Sequence, residues 1–195
     1  MKQMLKETLV IVLITLIAGL GLGVVFEITK EPIAKQKVLA KQKALKAVYK
    51  EADDFVETEI VDSSFNSENA DMIELYEALD ANDALMGYVM VLTAHNGYGG
   101  DITFALGINK DGKTNGISIT DIKETAGLGM NAKSVLAPQF ADKKVEQFVV
   151  TKQTPVLMEH IEAISGATIT TDAITGAVNA GLEYYYKELG GANNE

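Results

Sequence analysis

Residues 8–26 form an unbroken run of uncharged, mostly apolar positions between Glu7 and Glu27. As a helix at ~1.5 Å per residue, this run covers nearly the ~30 Å hydrocarbon core of a bilayer, which predicts one transmembrane helix. A buried core helix and a cleaved signal peptide are the two other readings of such a run. The run is longer than a typical signal-peptide core, and GLGLGVVFEITKEP offers no A-x-A-like cleavage site, so retention is favoured. Gly19 and Gly23 stand four apart and leave one helix face small enough for a neighbouring membrane helix to approach. GLGLG is not read as a nucleotide loop, because it follows no strand and sits inside the apolar span.

Beyond Pro32, Ala34, Val38, Leu45 and Tyr49 fall near one helical face and lysines take the remainder. That spacing predicts an amphipathic connector helix, read as a solvated linker. Residues 51–83 are acidic and weakly patterned, with a loop at 63–69 (SSFNSEN). From Met86 the period shortens, and strands are predicted at 87–94, 102–108 and 116–122, with Asp111-Gly112 as the hairpin turn between the last two. Near the C-terminus, Ile174, Val178, Leu182 and Tyr185 share a helical face, which predicts a helix over 172–189 capped by Thr171 or Asp172. The expected fold class is α+β, a mostly antiparallel sheet with packed helices behind one N-terminal transmembrane helix. The expected division is an anchor at 1–27, a connector at 28–50 and a domain at 51–195.

Composition narrows the chemistry. The chain has 195 residues and a formal net charge of −10, and all 17 of its basic residues are lysine. Without an arginine fork or a basic face, nucleic acid is excluded as a partner. The absence of cysteine removes disulfides, thiolate metal sites and iron–sulfur ligation. With only His95 and His160, a histidine-rich metal or haem site is not expected. Redox chemistry would therefore need a bound organic cofactor. Lys2 and Lys6 precede the apolar run, while Lys30, Lys35, Lys37, Lys41, Lys43 and Lys46 follow it. The charge rule alone would put the C-terminal part in the cytoplasm.

The string most informative about chemistry is residues 162–170, EAISGATIT, ahead of the last helix. Gly166 and Ala167 let a bulky ligand approach the backbone, and Ser165, Thr168, Thr170 and Thr171 supply hydroxyls. Free amides at a helix start favour an anion, so a phosphate suits the place. A hydroxyl-rich helix cap is the plainer reading of the same residues.

E-A-I-S-G-A-T resembles the flavinylation motif, an acidic residue and two variable positions followed by S/T-G-A-T/S. It is similar to the FMN-binding domain shared by the G subunit of Rnf electron-transport complexes and the C subunit of sodium-translocating NADH:quinone reductases. The resemblance implies FMN joined by its phosphate to the Thr168 hydroxyl, installed from FAD by a separate flavin transferase that uses magnesium. Two more segments fit it. Asn96-Gly97-Tyr98-Gly99-Gly100 is a glycine turn that similar proteins place beside the cofactor, although such a turn is more often simply a tight hairpin. Residues 124–130, ETAGLGM, resemble the E-T-P-G-L-G loop bordering the flavin ring, with Ala126 in place of the proline. There Glu124, Thr125, Gly127, Leu128 and Gly129 join the expected cofactor site with Tyr98, Gly99, Ser165, Gly166, Ala167, Thr168 and Thr170. Leu128 and Met130 read equally as core packing. The resemblance further implies a relay protein within a membrane redox complex coupled to sodium or proton translocation, with this domain on the extracytoplasmic side. The chain length favours the Rnf G subunit over the usually longer C subunit of the quinone reductases. A non-redox membrane-tethered binding module is the alternative from outside this family.

Overall fold

The computed structural model describes residues 2–60, 65 and 69–190. Helix α1 runs from Lys2 to Val48 with Pro32 inside it. The chain divides into two units, Met1–Ala40 and Lys41–Glu195. In the first unit, Leu9, Ile14 and Leu20 are all more than half exposed, and the most apolar 18-residue window has a mean hydropathy of 2.9. This helix is long and apolar enough to cross a membrane.

The second unit is built on a five-stranded antiparallel meander in the order β1-β2-β3-β4-β5. Its strands are β1 Asp54–Thr58, β2 Ala70–Leu79, β3 Leu85–Ala94, β4 Ile102–Asn109 and β5 Thr114–Asp121. A short parallel pair, β6 Val149–Thr151 and β7 His160–Glu162, leads into helix α2, Thr168–Tyr184. The mostly antiparallel sheet with packed helices is as expected. The three expected strands appear as β3, β4 and β5, and Asp111-Gly112 sits in the turn joining β4 to β5, with Gly112 at φ +77°.

Both faces of the sheet are covered, which explains why β3 and β4 read as nearly continuous apolar runs. Met90, Leu92, Phe104, Leu106 and Ile108 point to one side, where Ile174, Ala177, Val178 and Leu182 of α2 close the larger core. Gly181 lets α2 approach closely, since a Cβ there would stand 2.8 Å from Leu106 and 3.0 Å from Leu92. Val89, Val91 and Ala105 point to the other side and pack on Ala44, Leu45, Val48 and Tyr49, a smaller core. The C-terminal turns of the connector are thus part of the domain's own packing. Lys41 fastens them, with its Nζ 3.0 Å from Glu74 Oε1 and 3.1 Å from the Tyr76 hydroxyl. These two partners, Tyr76 first, raise the lysine's pKa above its ordinary value.

Two departures from the expected elements have physical causes. Strands β1 and β2 occupy the stretch that reads as unpatterned. A register shift between Met72 and Glu74 breaks the alternation of β2, so Met72 and Leu75, three apart, are both buried in the larger core. The expected loop at 63–69 lies mostly outside the described residues. The last helix begins at Thr168, four residues before the expected start, and Ala167 caps it with no side-chain hydrogen bond. Thr171 is not a cap. It lies within the helix, and its buried hydroxyl donates to Ala167 O at 3.0 Å and accepts from Ile164 N at 3.1 Å.

Candidate functional site

The antiparallel meander brings the β3–β4 turn and the segment after β5 to the same end of the sheet, as the pairs Ala94–Ile102 and Thr103–Asp121 require. The glycine turn at 96–100 rests directly on the second of these segments. Gly99 N donates to Glu124 Oε1 at 3.2 Å, and a Cβ on Gly99 would collide with the Lys123 carbonyl. His95 and Asp101 brace the turn from below. The His95 ring bonds Asp101 through Nδ1 and Asp71 on β2 through Nε2, both at 3.0 Å.

Those two carboxylates, Asp101 first, raise the His95 pKa above 6.5. A raised folded-state value means that the protonated ring stabilises the fold fully below pH ~6.5, and that this contribution fades as pH rises through the folded pKa. The groups are partly solvated, so the expected effect is less than ~1 kcal/mol. The thermal midpoint of the wild type should therefore fall more than that of His95→Gln between pH ~6 and ~8. Parallel pH profiles would refute the linkage.

The loop after β5 is fixed without the missing proline. Leu128 N and Met130 N both donate to Thr125 O, at 3.1 and 3.2 Å, and Asn131 Nδ2 donates to Gly127 O at 2.8 Å. Gly127 takes φ +78°, a conformation that side-chain-bearing residues rarely adopt. From the other side, residues 164–167 form a tight turn closed by Ala167 N donating to Ile164 O at 2.9 Å, with Gly166 at φ +74°. The turn delivers the chain into α2, whose cap residue offers no side-chain acceptor and whose first turn holds no acidic residue. The amides there remain available to an anion, and the helix dipole favours one.

Between the loop, the glycine turn and the start of α2 lies a cleft of about 520 Å³, within the range of small-molecule sites. Nine of the expected residues line it: Tyr98, Glu124, Thr125, Leu128, Gly129, Gly166, Ala167, Thr168 and Thr170. Gly99, Gly127 and Ser165 stand behind or beside the lining and shape its turns. Ile169, which the sequence motifs do not single out, lines it as well. A signal for it exists, since an isoleucine that falls off the buried face of α2 and is 54% exposed has no packing reason to be apolar. Tyr98 and Leu128 add exposed apolar surface at the mouth, so an apolar ring would be covered from several sides.

The cleft also contains an unpaired hydroxyl. Thr170 is 1% exposed and its Oγ1 has no hydrogen-bond partner, a situation that costs about 1–3 kcal/mol when nothing fills it. A larger groove of about 1050 Å³ passes Lys144, Glu146 and Lys187 on the outer side of α2. It holds none of the motif residues and, among the described residues, no unpaired buried side-chain polar atom.

A family model for the FMN-binding domain matches residues 97–183, a span that takes in the glycines of the 96–100 turn, the 124–130 loop and the S-G-A-T motif. The G subunit of the Na+-translocating ferredoxin:NAD+ oxidoreductase complex of Acetobacterium woodii is 31% identical over 192 residues, covering 94% of this chain and 92% of that one. The chain belongs to the family of G subunits of ion-translocating oxidoreductase complexes. The G subunit of the proton-translocating ferredoxin:NAD+ oxidoreductase complex of Clostridium ljungdahlii is 32% identical over 176 residues, 90% of this chain and 88% of that one. Within the G-subunit family, relatives named for different coupling ions thus match this chain equally well. Solved structures of the quinone reductase C subunit share the fold. NqrC from Shewanella oneidensis superposes with a TM-score of 0.57 at 14% identity, over 78% of this chain and 95% of that one. The C subunit of the Na+-translocating NADH-quinone reductase from Parabacteroides distasonis gives 0.56 at 18%, over 80% and 94%.

The residues of the cleft fit an FMN. The uncapped start of α2 suits its phosphate, the small residues Gly166 and Ala167 admit it, and the apolar lining with one unsatisfied hydroxyl suits its ring system.

Proposed function

We propose that this chain is the membrane-anchored electron-transfer subunit of an Rnf-type ferredoxin:NAD+ oxidoreductase coupled to sodium or proton translocation, with FMN esterified through its phosphate to Thr168. The observation that carries the attachment is the different placement of the motif's hydroxyls. Thr170 and Thr171 are buried, and Thr171 is already bonded on both sides. Ser165 is exposed but does not line the cleft. Thr170 shares the cleft wall but is 1% exposed, whereas Thr168 lines the cleft, is partly exposed and occupies the first position of a helix with no side-chain cap.

Attachment is a phosphoryl transfer from FAD by a flavin transferase using magnesium. Thr168 Oγ1 would form the bond to the phosphorus of the FMN half as the anhydride linkage breaks, with AMP leaving with the bonding electrons and the hydroxyl proton released. Once bound, FMN supplies the ability to exchange one or two electrons. The chain's own residues place it. The first-turn amides of α2 would hold the phosphate, Gly166 would keep the approach clear, and Leu128, Ile169 and Tyr98 would exclude water from the ring. Thr168 is an anchor and takes no part in turnover. The ester would prevent loss of the cofactor from the protein.

Protein purified from a host containing the transferase should be yellow and should fluoresce as a flavoprotein in a denaturing gel, with peptide mapping placing the adduct on residue 168. Flavin released quantitatively by SDS would instead mean noncovalent binding in the same cleft, and colourless protein from that host would mean a non-redox module.

Residues 8–26 are read as the membrane span, with the FMN domain on the extracytoplasmic side. The likeness to Rnf-type complexes supports that side and the lysines after the span oppose it, although Lys41 and Lys46 are engaged in the domain's own hydrogen bonds. A cysteine introduced at exposed Lys133 should react with a membrane-impermeant maleimide in intact cells. Reaction only after lysis would place the domain inside.

A further inference from the structure

We infer that Thr170 and Glu124 form a polar corner that meets the polar edge of the flavin ring and sets its redox potential. The inference rests on the FMN reading above. The two side chains converge on the backbone of Gly129. The point where a Cβ on Gly129 would sit lies 2.7 Å from Thr170 Oγ1 and 2.7 Å from Glu124 Oε2. Both residues line the cleft. The hydroxyl is buried and unpartnered, and it does not bond back to a carbonyl of its own helix as threonines commonly do. A polar atom held this way beside an open cleft is a ready hydrogen-bond donor to a ligand.

The adjacent carboxylate decides which part of the ligand enters. A phosphate placed next to Glu124 would bring like charges together, and the phosphate already has a better place at the helix start. An uncharged edge that alternates carbonyl acceptors with a ring N–H donor suits the corner, the hydroxyl donating to a carbonyl and the carboxylate accepting from the N–H. Glu124 Oε1 is held by Gly99 N at 3.2 Å, so the carboxylate is fixed in position.

The two groups should act in opposite directions. Reduction adds electron density to the ring's polar edge. A donor there favours the reduced form, and a negative charge beside it disfavours that form. In flavinylated full-length protein, Thr170→Val should lower the midpoint potential by the equivalent of about a tenfold change in the reduction equilibrium, ~30 mV for a two-electron couple. Thr170→Ser, which keeps the hydroxyl, should restore it. Glu124→Gln keeps an acceptor for Gly99 N but loses the charge, and should raise the potential. SDS-resistant fluorescence should persist in all three.

An unchanged potential in Thr170→Val, or equal potentials in the Val and Ser variants, overturns the inference. If Thr170→Val acquires no flavin, Glu124→Gln decides, and an unchanged potential there overturns it. Wild-type protein lacking SDS-resistant flavin would defeat the FMN-ester reading. Wild-type protein that has it, alongside unmoved potentials in the variants, would defeat only this inference.

Discussion

Thr168→Val should abolish SDS-resistant flavin fluorescence completely while leaving the fold intact. Valine has nearly the shape of threonine, and the position is only partly buried at the first residue of α2, so neither packing nor the helix should suffer. What disappears is the oxygen that the ester requires. No neighbour is placed to replace it, because the Thr171 hydroxyl is bonded on both sides, Thr170 is 1% exposed at the inner wall of the cleft and Ser165 does not line the cleft. Thr168→Ser should retain the adduct, since it keeps the hydroxyl at the same helix position. Intact mass and in-gel fluorescence of protein from a transferase-containing host would check both variants, and thermal unfolding would verify that the valine protein is folded. Flavin remaining on denatured Thr168→Val protein would show that another residue carries the bond. The apolar cleft survives the substitution, so weak noncovalent flavin binding is still expected before denaturation.

The parts of this molecule that could be read from sequence are those in which local chemistry and tertiary position coincide. EAISGAT combines hydroxyls, small residues and a helix start in one short string, and Gly166, Ala167 and Thr168 all reach the cleft wall with Ser165 beside them. Strands β3, β4 and β5 were legible because their apolar runs are long and bounded by turn residues. Strand β2 was not, since its bulge puts residues three apart into the same core and mixes Glu74 and Glu77 among them. Strand β1 is short and largely exposed, and its burial gives no alternation to detect. The start of α2 was misplaced because threonines look like caps. Thr171 and Thr170 are instead drawn inside the helix, one by two hydrogen bonds and the other by burial beside Gly129. Likewise, the face shared by Leu45 and Tyr49 was visible in the sequence, but a helical period does not reveal which surface it meets. The long-range pairing of β2, β3 and β4 creates the second sheet face on which those residues pack.

Gly129 is a position where one added carbon should disrupt the corner formed by Glu124 and Thr170 without touching the attachment point. Its missing Cβ is the common neighbour of Glu124 Cβ, Glu124 Oε2 and Thr170 Oγ1, each at 2.7 Å. In Gly129→Ala something must give way, and the α2 backbone cannot move without disturbing the core formed by Ile174 and Val178. The Glu124 side chain is therefore expected to be displaced, which breaks its hydrogen bond to Gly99 N and releases the glycine turn from the cleft wall. Overpacking of this kind costs about 1–3 kcal/mol. The thermal midpoint should fall accordingly, and covalent flavin incorporation should drop severalfold even though Thr168 is untouched. Gly127→Ala separates this steric effect from simple backbone strain. Gly127 has a positive φ, +78°, which Gly129 does not, and nothing lies within 4 Å of its would-be Cβ. It should lose about 1–2 kcal/mol of stability through strain and still fill the cleft with flavin. If Gly129→Ala matched the wild type in both stability and flavin content, Glu124 and Thr170 would not be converging on that point, and the polar corner would lose its geometric basis.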